Sequence, residues 1–596
     1  MQKIDGTSIP IEKAFWAVLV LVIAIILLKA GVASGDIRSV FSTAGNDEVM
    51  RLVVVRDWLG GQAWYDTTQY RLMPPEGVVM HWSRYLDAMI GAIIVTLSWV
   101  APIETAEMLA VAIWPTILML LLVAMFGFGT RRIFGPGPAC FAMFCAVFWP
   151  FTSDFYFSVG RIDHHNVQVV MLVVMTLSAI WPNRIWTSGF LAGFSAAFSL
   201  AIGLENLLYI LVLGLLLLIR AILDVAEGTS RRLLAFCLAL PVAAIVFWIG
   251  QTPPARLLYP VCDQLGTPVL TLIAIAVVAS AAGMLPLIKR PLFRLAISGV
   301  VTIVGCAVAW PLLSPCLAGP YALLPEVVQK IISGSINEAL PAVLFASKFP
   351  ILYNSMMTPA VGAIGLAALI WWSERKRPDV DAVQRDAVGQ LLFLSLVGFL
   401  ASFSQIRLLS MTSPAVVLLA GYGLWRLFCV WRITRLAGDA AKSMAASVVI
   451  LAPFLIEAPL RQLQPTVQAQ GASQSGSCRD FEAMSALGDL PPEQVLTPMN
   501  LGSLLLLATH HQALSGPYHR SSDAYTNGLL PFQMPEVEMK EYVIRSGAVY
   551  LMLCRGANYG DGFATELAKG SAPDWLQLVD VEAGRIMMFE ILLPDI

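Results

Sequence analysis

The chain has 596 residues, of which 57% are hydrophobic and only 13% charged. That is about half the charged fraction of a soluble domain. This excludes a soluble globular protein, and a net charge of −2 with no single basic face excludes nucleic-acid binding. The nine cysteines contain no CxxC pair, which argues against a structural zinc or a thioredoxin-like motif.

In chain order, apolar segments near 14–34, 107–127, 137–152, 166–182, 188–203, 207–224, 232–250, 268–287, 292–312, 354–373, 388–403, 413–429 and 444–460 read as 13 membrane spans. Each approaches the roughly 20 helical residues that hydrocarbon requires. The first is followed by many others, so it is a membrane helix and not a cleaved signal peptide. Alternate short loops carry Arg131 and Arg132, Arg184, Arg231 and Arg232, Lys289 with Arg290 and Arg294, Arg375 to Arg377, and Arg432 with Arg435. Basic loops face the cytoplasm, which puts the amino terminus inside. The leftover apolar stretch Ala88 to Ile103 is then expected to lie along the outer interface.

Four segments fall outside: loops 35–106, 153–165 and 313–353, and a region 461–596. All six histidines (His81, His164, His165, His510, His511, His519) lie in them. The stretch VQAQGASQSGS reads as a linker between a membrane domain, 1–460, and a soluble domain, 461–596. In the latter, Ala548 to Leu553 and Arg585 to Leu592 read as strands and Glu536 to Arg545 as a helix, giving a small mixed α/β domain. No internal repeat is visible, whereas many transporters are built from paired halves.

Chemistry-bearing residues collect in the outer segments. SVGRIDHHNVQ holds Asp163, His164 and His165, where a carboxylate and an imidazole two residues apart can reach one divalent ion; a solvated turn is the competing reading. AGNDEVMRL places Asp47 and Glu48 in a first helical turn, where the helix dipole favours acids whether or not they act. GSINEALP places Glu338 in a long loop that can close over a site or be an ordinary connection. FSQIRLLSMTSP puts Arg407 at the edge of an apolar helix, available to an anionic headgroup or snorkelling to the interface. In MHWSRYLD, His81 and Arg84 are candidate ligand contacts or members of an interfacial belt. Glu205 in GLENLL is a candidate ligand contact or a helix-terminal carboxylate, and His519 and Arg520 in GPYHR are candidates for ligand recognition in the soluble domain.

These pieces, in this order and on one face, resemble the catalytic subunit of oligosaccharyltransferases in the GT-C superfamily of membrane glycosyltransferases. The resemblance implies a mainly α, polytopic fold with an extracytoplasmic C-terminal domain, in the plasma (inner) membrane. It also implies that Asp47, Asp163 and His165 bind Mn²⁺ or Mg²⁺, that SINE supplies Glu338, and that Arg407 meets the phosphate of a polyprenyl-linked sugar donor. Arg51, four residues after Asp47, stands where the family often has an arginine and would pair with a site carboxylate. The expected reaction is transfer of a sugar or oligosaccharide from polyprenyl-(pyro)phosphate with inversion; a transporter or lipid flippase is the alternative. The family's WWDYG peptide-recognition run has no match, with Met499, Asn500 and Leu501 at the corresponding place, so the acceptor is open among glycan, lipid and protein. Cys478 and Cys554 lie outside, as do Cys262 and Cys316, where an oxidising compartment permits disulfides that geometry must decide.

Overall fold

The computed structural model describes residues 11–319, 336–377, 381–463 and 478–592, with positions 325, 326, 329 and 330 of the long loop. The linker expected at 467–477 and the Gly334–Ser335 lead into SINE lie outside the described residues.

The helices of ten residues or more are α1 (Ile11–Ala33), α2 (Asn46–Leu59), α3 (Arg84–Ser98), α4 (Ile103–Phe134), α5 (Pro136–Phe148), α6 (His165–Ile180), α7 (Ile185–Ile202), α8 (Leu207–Ile222), α9 (Thr229–Gln251), α10 (Thr267–Gly283), α11 (Pro291–Val308), α12 (Pro350–Glu374), α13 (Ala382–Ala401), α14 (Ser413–Thr434), α15 (Ala437–Leu463) and α16 (Glu536–Arg545). Each expected span falls on one of α1, α4 to α11 or α12 to α15. Proline opens several of them, at Pro136, Pro268, Pro291, Pro350 and Pro414, where its missing N–H breaks no helical bond. By length and composition eight helices among the described residues can each cross a membrane alone, and the chain is an integral membrane protein.

Two boundaries differ from expectation. The span near 137–152 stops at Phe148, because Trp149 is extended and the chain from Pro150 turns by 88°. The leftover stretch Ala88 to Ile103 is divided, with its first part inside α3 and Ile103 opening α4. Close helix packing follows small residues: a Cβ on Gly193 of α7 would stand 2.7 Å from the Phe236 carbonyl of α9, so only glycine lets these backbones approach.

The C-terminal region is a five-stranded mixed sheet of β3 (Gln494–Leu496), β4 (Gln512–Ala513), β5 (Tyr550–Cys554), β6 (Leu576–Leu578) and β7 (Ile586–Ile591); a two-stranded hairpin, β1 (Thr68–Gln69) and β2 (Val78–Val79), precedes it in the first outer segment. β3 runs parallel to β4 and β5, and β7 is antiparallel to β5 and β6. β5 is buried along its length, as a central strand covered on both faces must be. α16 spans the residues that the sequence marks as helical.

The first outer segment is stitched to this region. Met73 N–H donates to the Ala513 carbonyl and Ala513 N–H to that of Arg71, both at 2.8 Å, extending the sheet beyond β4. Arg71 also reaches the Leu506 and Thr509 carbonyls, and Arg56 that of Leu507. Both candidate disulfides form, Cys262–Cys316 and Cys478–Cys554.

Candidate active site

Two helix N-termini carry the first candidate residues. α2 starts at Asn46 after Gly45, placing Asp47 and Glu48 in its first turn, and α6 starts at His165, directly after Asp163 and His164. Asp163, His164 and His165 form a triad whose donor atoms lie within 4.8 Å of one another.

The two oxygens of Asp163 have different surroundings. Oδ1 accepts from His164 Nδ1 at 2.6 Å and from Arg51 Nη2 at 3.4 Å. Oδ2 faces His165 Nε2 at 3.4 Å. Adjacent donors about 2.1 Å from a shared ion stand about 3.0 Å apart in octahedral geometry and about 3.4 Å apart in tetrahedral geometry, so this pair is within about half an ångström of metal-ligand spacing. His164 is committed elsewhere, since its Nε2 meets Glu205 Oε1 at 2.8 Å. With both nitrogens against carboxylate oxygens, which only accept, the ring is an imidazolium. Burial opposes that charge, but Asp163 and Glu205 outweigh it and hold His164 well above its ordinary range. Burial likewise works to raise Asp163, yet His164, His165 and Arg51 keep it well below the usual carboxylate range. Glu205 is therefore part of the network and anchors His164, and Gln168 donates to its second oxygen at 3.3 Å.

Arg51 is fully buried on α2 and joins Asp163 to Asp87, whose Oδ1 lies 3.0 Å from its Nη1. Its guanidinium stacks 4.4 Å from the Trp82 ring. Arg84 is buried too, bonded to Asp87 at 3.2 Å, to Gln62, and to the Trp64 and Asp66 carbonyls. It is therefore not a solvent-facing belt residue: four of its five N–H donors are engaged within residues 62–87.

Asp47 is exposed and stands outside the triad. Protein packed around it, then the charges of Asp163 and Glu48, push its carboxyl up to about 7. Glu48 is buried against Arg161 at 2.5 Å. Glu338 sits in a single 3-10 turn, Asn337–Ala339, and its charge reaches Glu48, Tyr156, Arg161 and His165. Arg407 lies in the 3-10 segment Ile406–Thr412 that leads directly into α14, at the start of the continuous apolar span Ile406–Thr434. Its Nε donates to Gln405 Oε1 at 3.0 Å, and among the described residues it forms no ion pair. The two 3-10 segments are joined by the Ile406 N–H to the Leu340 carbonyl, 2.9 Å. Tyr156 is the shared neighbour: buried, stacked 5.0 Å from His165, and within the electrostatic reach of Glu338, Arg161 and Arg407.

The C-terminal region closes the wall beside Asp47. Tyr518 OH bonds Ser503 and the Asn46 carbonyl at 2.8 and 3.2 Å, Asn500 bonds Asn46 at 3.2 Å, and Arg479 bonds Asn46 Oδ1 at 2.6 Å. Asn500, where the peptide-recognition run is missing, thus ties down the residue next to Asp47. His81, His519 and Arg520 form a separate group around Asp263. There enclosure, then His519, pushes His81 down to about 3. The sequence reading passed over Arg161, Asp87, Tyr156, Asp263 and Arg479. Only Arg161 and Asp87 stood inside motifs already singled out, GRIDHH and RYLD.

A helical membrane body, acidic residues on two segments between helices, and a mixed C-terminal region seated on the first of them make a fold shared with solved oligosaccharyltransferase structures. Among solved structures, the archaeal oligosaccharyltransferase AglB from Archaeoglobus fulgidus, in complex with an inhibitory peptide and a dolichol-phosphate, matches with a TM-score of 0.64 at 12% identity, covering 92% of this chain and 70% of that one. The apo form of the same enzyme matches with a TM-score of 0.64 at 13% identity over 91% and 69%. Its complex with zinc and sulfate gives 0.55 at 13% over 89% and 68%. No protein-family model matches the sequence, and no curated protein matches it.

Proposed function

We propose that this chain is a membrane glycosyltransferase that moves a sugar or oligosaccharide from a polyprenyl-(pyro)phosphate donor to an acceptor at the extracytoplasmic face. The observation that carries this reading is that charges from four distant segments act on shared neighbours: Asp47 on Asp163, Glu338 on His165, and Glu338 with Arg407 on Tyr156. The AglB match in fold, to an enzyme solved with dolichol-phosphate, supports the donor class.

Asp163 Oδ2 and His165 Nε2, with Asp47 opposite, would hold a divalent cation, Mn²⁺ or Mg²⁺, whose charge would offset that of the departing phosphate. Asp47 would orient the attacking group of the acceptor. Arg407, which has a guanidinium fork and no carboxylate partner among the described residues, would receive the donor phosphate as charge develops on it. A phosphate leaves readily, so no strong general acid is needed, and one displacement would invert the anomeric centre. Glu338, on the segment tied to Arg407, would approach the same ion or the acceptor when the long loop closes. The acceptor side differs from a sequon reader, because Asn500 and Arg479 fill the wall beside Asp47. A glycan or lipid acceptor suits this wall better than an Asn-x-Ser/Thr peptide.

The test is transfer from lipid-linked sugars by the purified chain, with products identified by mass spectrometry. Asp47→Ala and Asp163→Ala are each expected to abolish cation-dependent transfer, and Arg407→Ala to weaken donor use. Full activity in either aspartate variant would overturn the assignment.

A further inference from the structure

A second group of metal-ligating side chains lies outside the Asp163 triad. His81 follows β2 in the first outer segment, Asp263 lies in the α9–α10 connection beside the Cys262–Cys316 disulfide, and His519 comes from the C-terminal region. One donor atom of each lies within 4.8 Å of the other two. His519 Nε2 is 2.9 Å from Asp263 Oδ2, and the His81 and His519 rings are 4.5 Å apart. Among the described residues His81 makes no hydrogen bond, only ring contacts with Trp82 and His519. His81 is half-buried, beside a second imidazole and a carboxylate, and with neither nitrogen bonded to protein among the described residues both lone-pair positions stay open to a ligand.

We propose that His81, Asp263 and His519 form a second cation site, of the zinc class, that clamps the first outer segment and the α9–α10 connection to the C-terminal region. Two imidazoles with one carboxylate are the ligand set of a borderline cation such as Zn²⁺, whereas Mg²⁺ and Ca²⁺ favour oxygen alone. Tetrahedral donors about 2.1 Å from zinc stand about 3.4 Å apart. Asp263 Oδ2 and His519 Nε2 therefore need to part by about half an ångström, with the ion replacing their hydrogen bond. Arg520 provides the outer support that ligating carboxylates ordinarily have: its Nη2 holds Oδ1 at 2.8 Å and its Nε holds the other lone pair of Oδ2 at 2.7 Å. The Cys262–Cys316 bond pins the connection that carries Asp263. The three ligands come from parts of the chain far apart in sequence, so an ion here would fasten the segment that bears Asp47 against the domain above it. The inference stands on this geometry alone and is independent of the proposed glycosyl transfer.

The test uses the full chain in detergent, stripped by chelator and titrated with zinc, with bound metal counted by elemental mass spectrometry. Asp163→Ala serves as the background, to silence the first site. That variant is expected to retain one zinc per chain and to gain thermal stability from it. Adding His81→Gln, which removes a side chain with no hydrogen bond to lose, is expected to weaken zinc at least about tenfold and to erase the thermal gain. Adding His519→Ala is expected to do the same; should that variant fail to fold, the His81→Gln result decides alone. Zinc absent from Asp163→Ala, or bound with unchanged affinity after His81→Gln, overturns the proposal.

Discussion

Replacing Arg51 by Met tests the central electrostatic arrangement most directly. Arg51 is buried with both its partners, at 3.0 Å from Asp87 and 3.4 Å from Asp163. At an effective dielectric of about 20, a pair at that distance attracts by about 5 kcal/mol. The cost of taking the ions out of water cancels part of this, and Arg84 still serves Asp87 after the change. What remains is the penalty for breaking a buried pair, about 3–5 kcal/mol. Asp163 loses one of its two cationic partners while the His164 imidazolium still bonds its Oδ1, so the cost falls toward the low end of that range; Asp163 also faces His165 as a proposed cation ligand. The loss should therefore be largest in chelator and smaller with saturating Mn²⁺, because a cation compensates Asp163 in place of the guanidinium. Unfolding of wild type and Arg51→Met in mixed micelles, with and without Mn²⁺, measures both quantities. A cost below about 1 kcal/mol in chelator, or one that Mn²⁺ leaves unchanged, would refute the reasoning.

Three further outcomes are expected. Asp47 titrates near 7 in the folded chain and near 4 when unfolded, so its contribution to stability is fully present below about pH 4 and is lost as pH rises through about 7. In chelator, Asp47→Asn should match wild type near pH 4 and melt higher at pH 8; equal melting at both would contradict the raised carboxyl. Glu205→Gln should weaken Mn²⁺ binding about 10–100-fold, since Glu205 holds His164 and through it Asp163, and calorimetry of the intact chain measures this. The Cys478–Cys554 bond closes a separation of 76 residues. Its loss in a double Cys→Ser variant should cost the C-terminal region about 4 kcal/mol, read by denaturation of oxidised and variant protein.

Much of the site was legible because its motifs are local. Asp163 and His165 are two residues apart, and Asp47 opens a helix, so the sequence brought each to the end of an element without any knowledge of packing. Arg51 was legible as a partner because it lies one helical turn from Asp47 on the same helix. His164 was not, since an imidazole can ligate or donate, and only the Glu205 carboxylate, 41 residues on, commits both its nitrogens. Arg84 was ambiguous for a related reason. An arginine beside tryptophan near a membrane boundary has the composition of a belt, and only the fold reveals Asp87, Gln62 and two carbonyls closing around it.

The sequence by itself determined the helical membrane body, the order of the chemistry-bearing segments and the presence of a mixed C-terminal domain. Hydrocarbon enforces long apolar runs and self-satisfied backbones, and that constraint is written along the chain. Tertiary structure alone decided how charges pair across it: Arg51 with Asp163, 112 residues apart, Asp263 with His519, 256 apart, and Arg479 with Asn46, 433 apart. Pairing at such distances depends on which loops meet above the membrane, and loop meeting leaves no period or run in a single sequence. It likewise turned the chain by 88° at Pro150 and joined residues 71–73 to the sheet beside β4, features set by packing between segments and not by the composition of either.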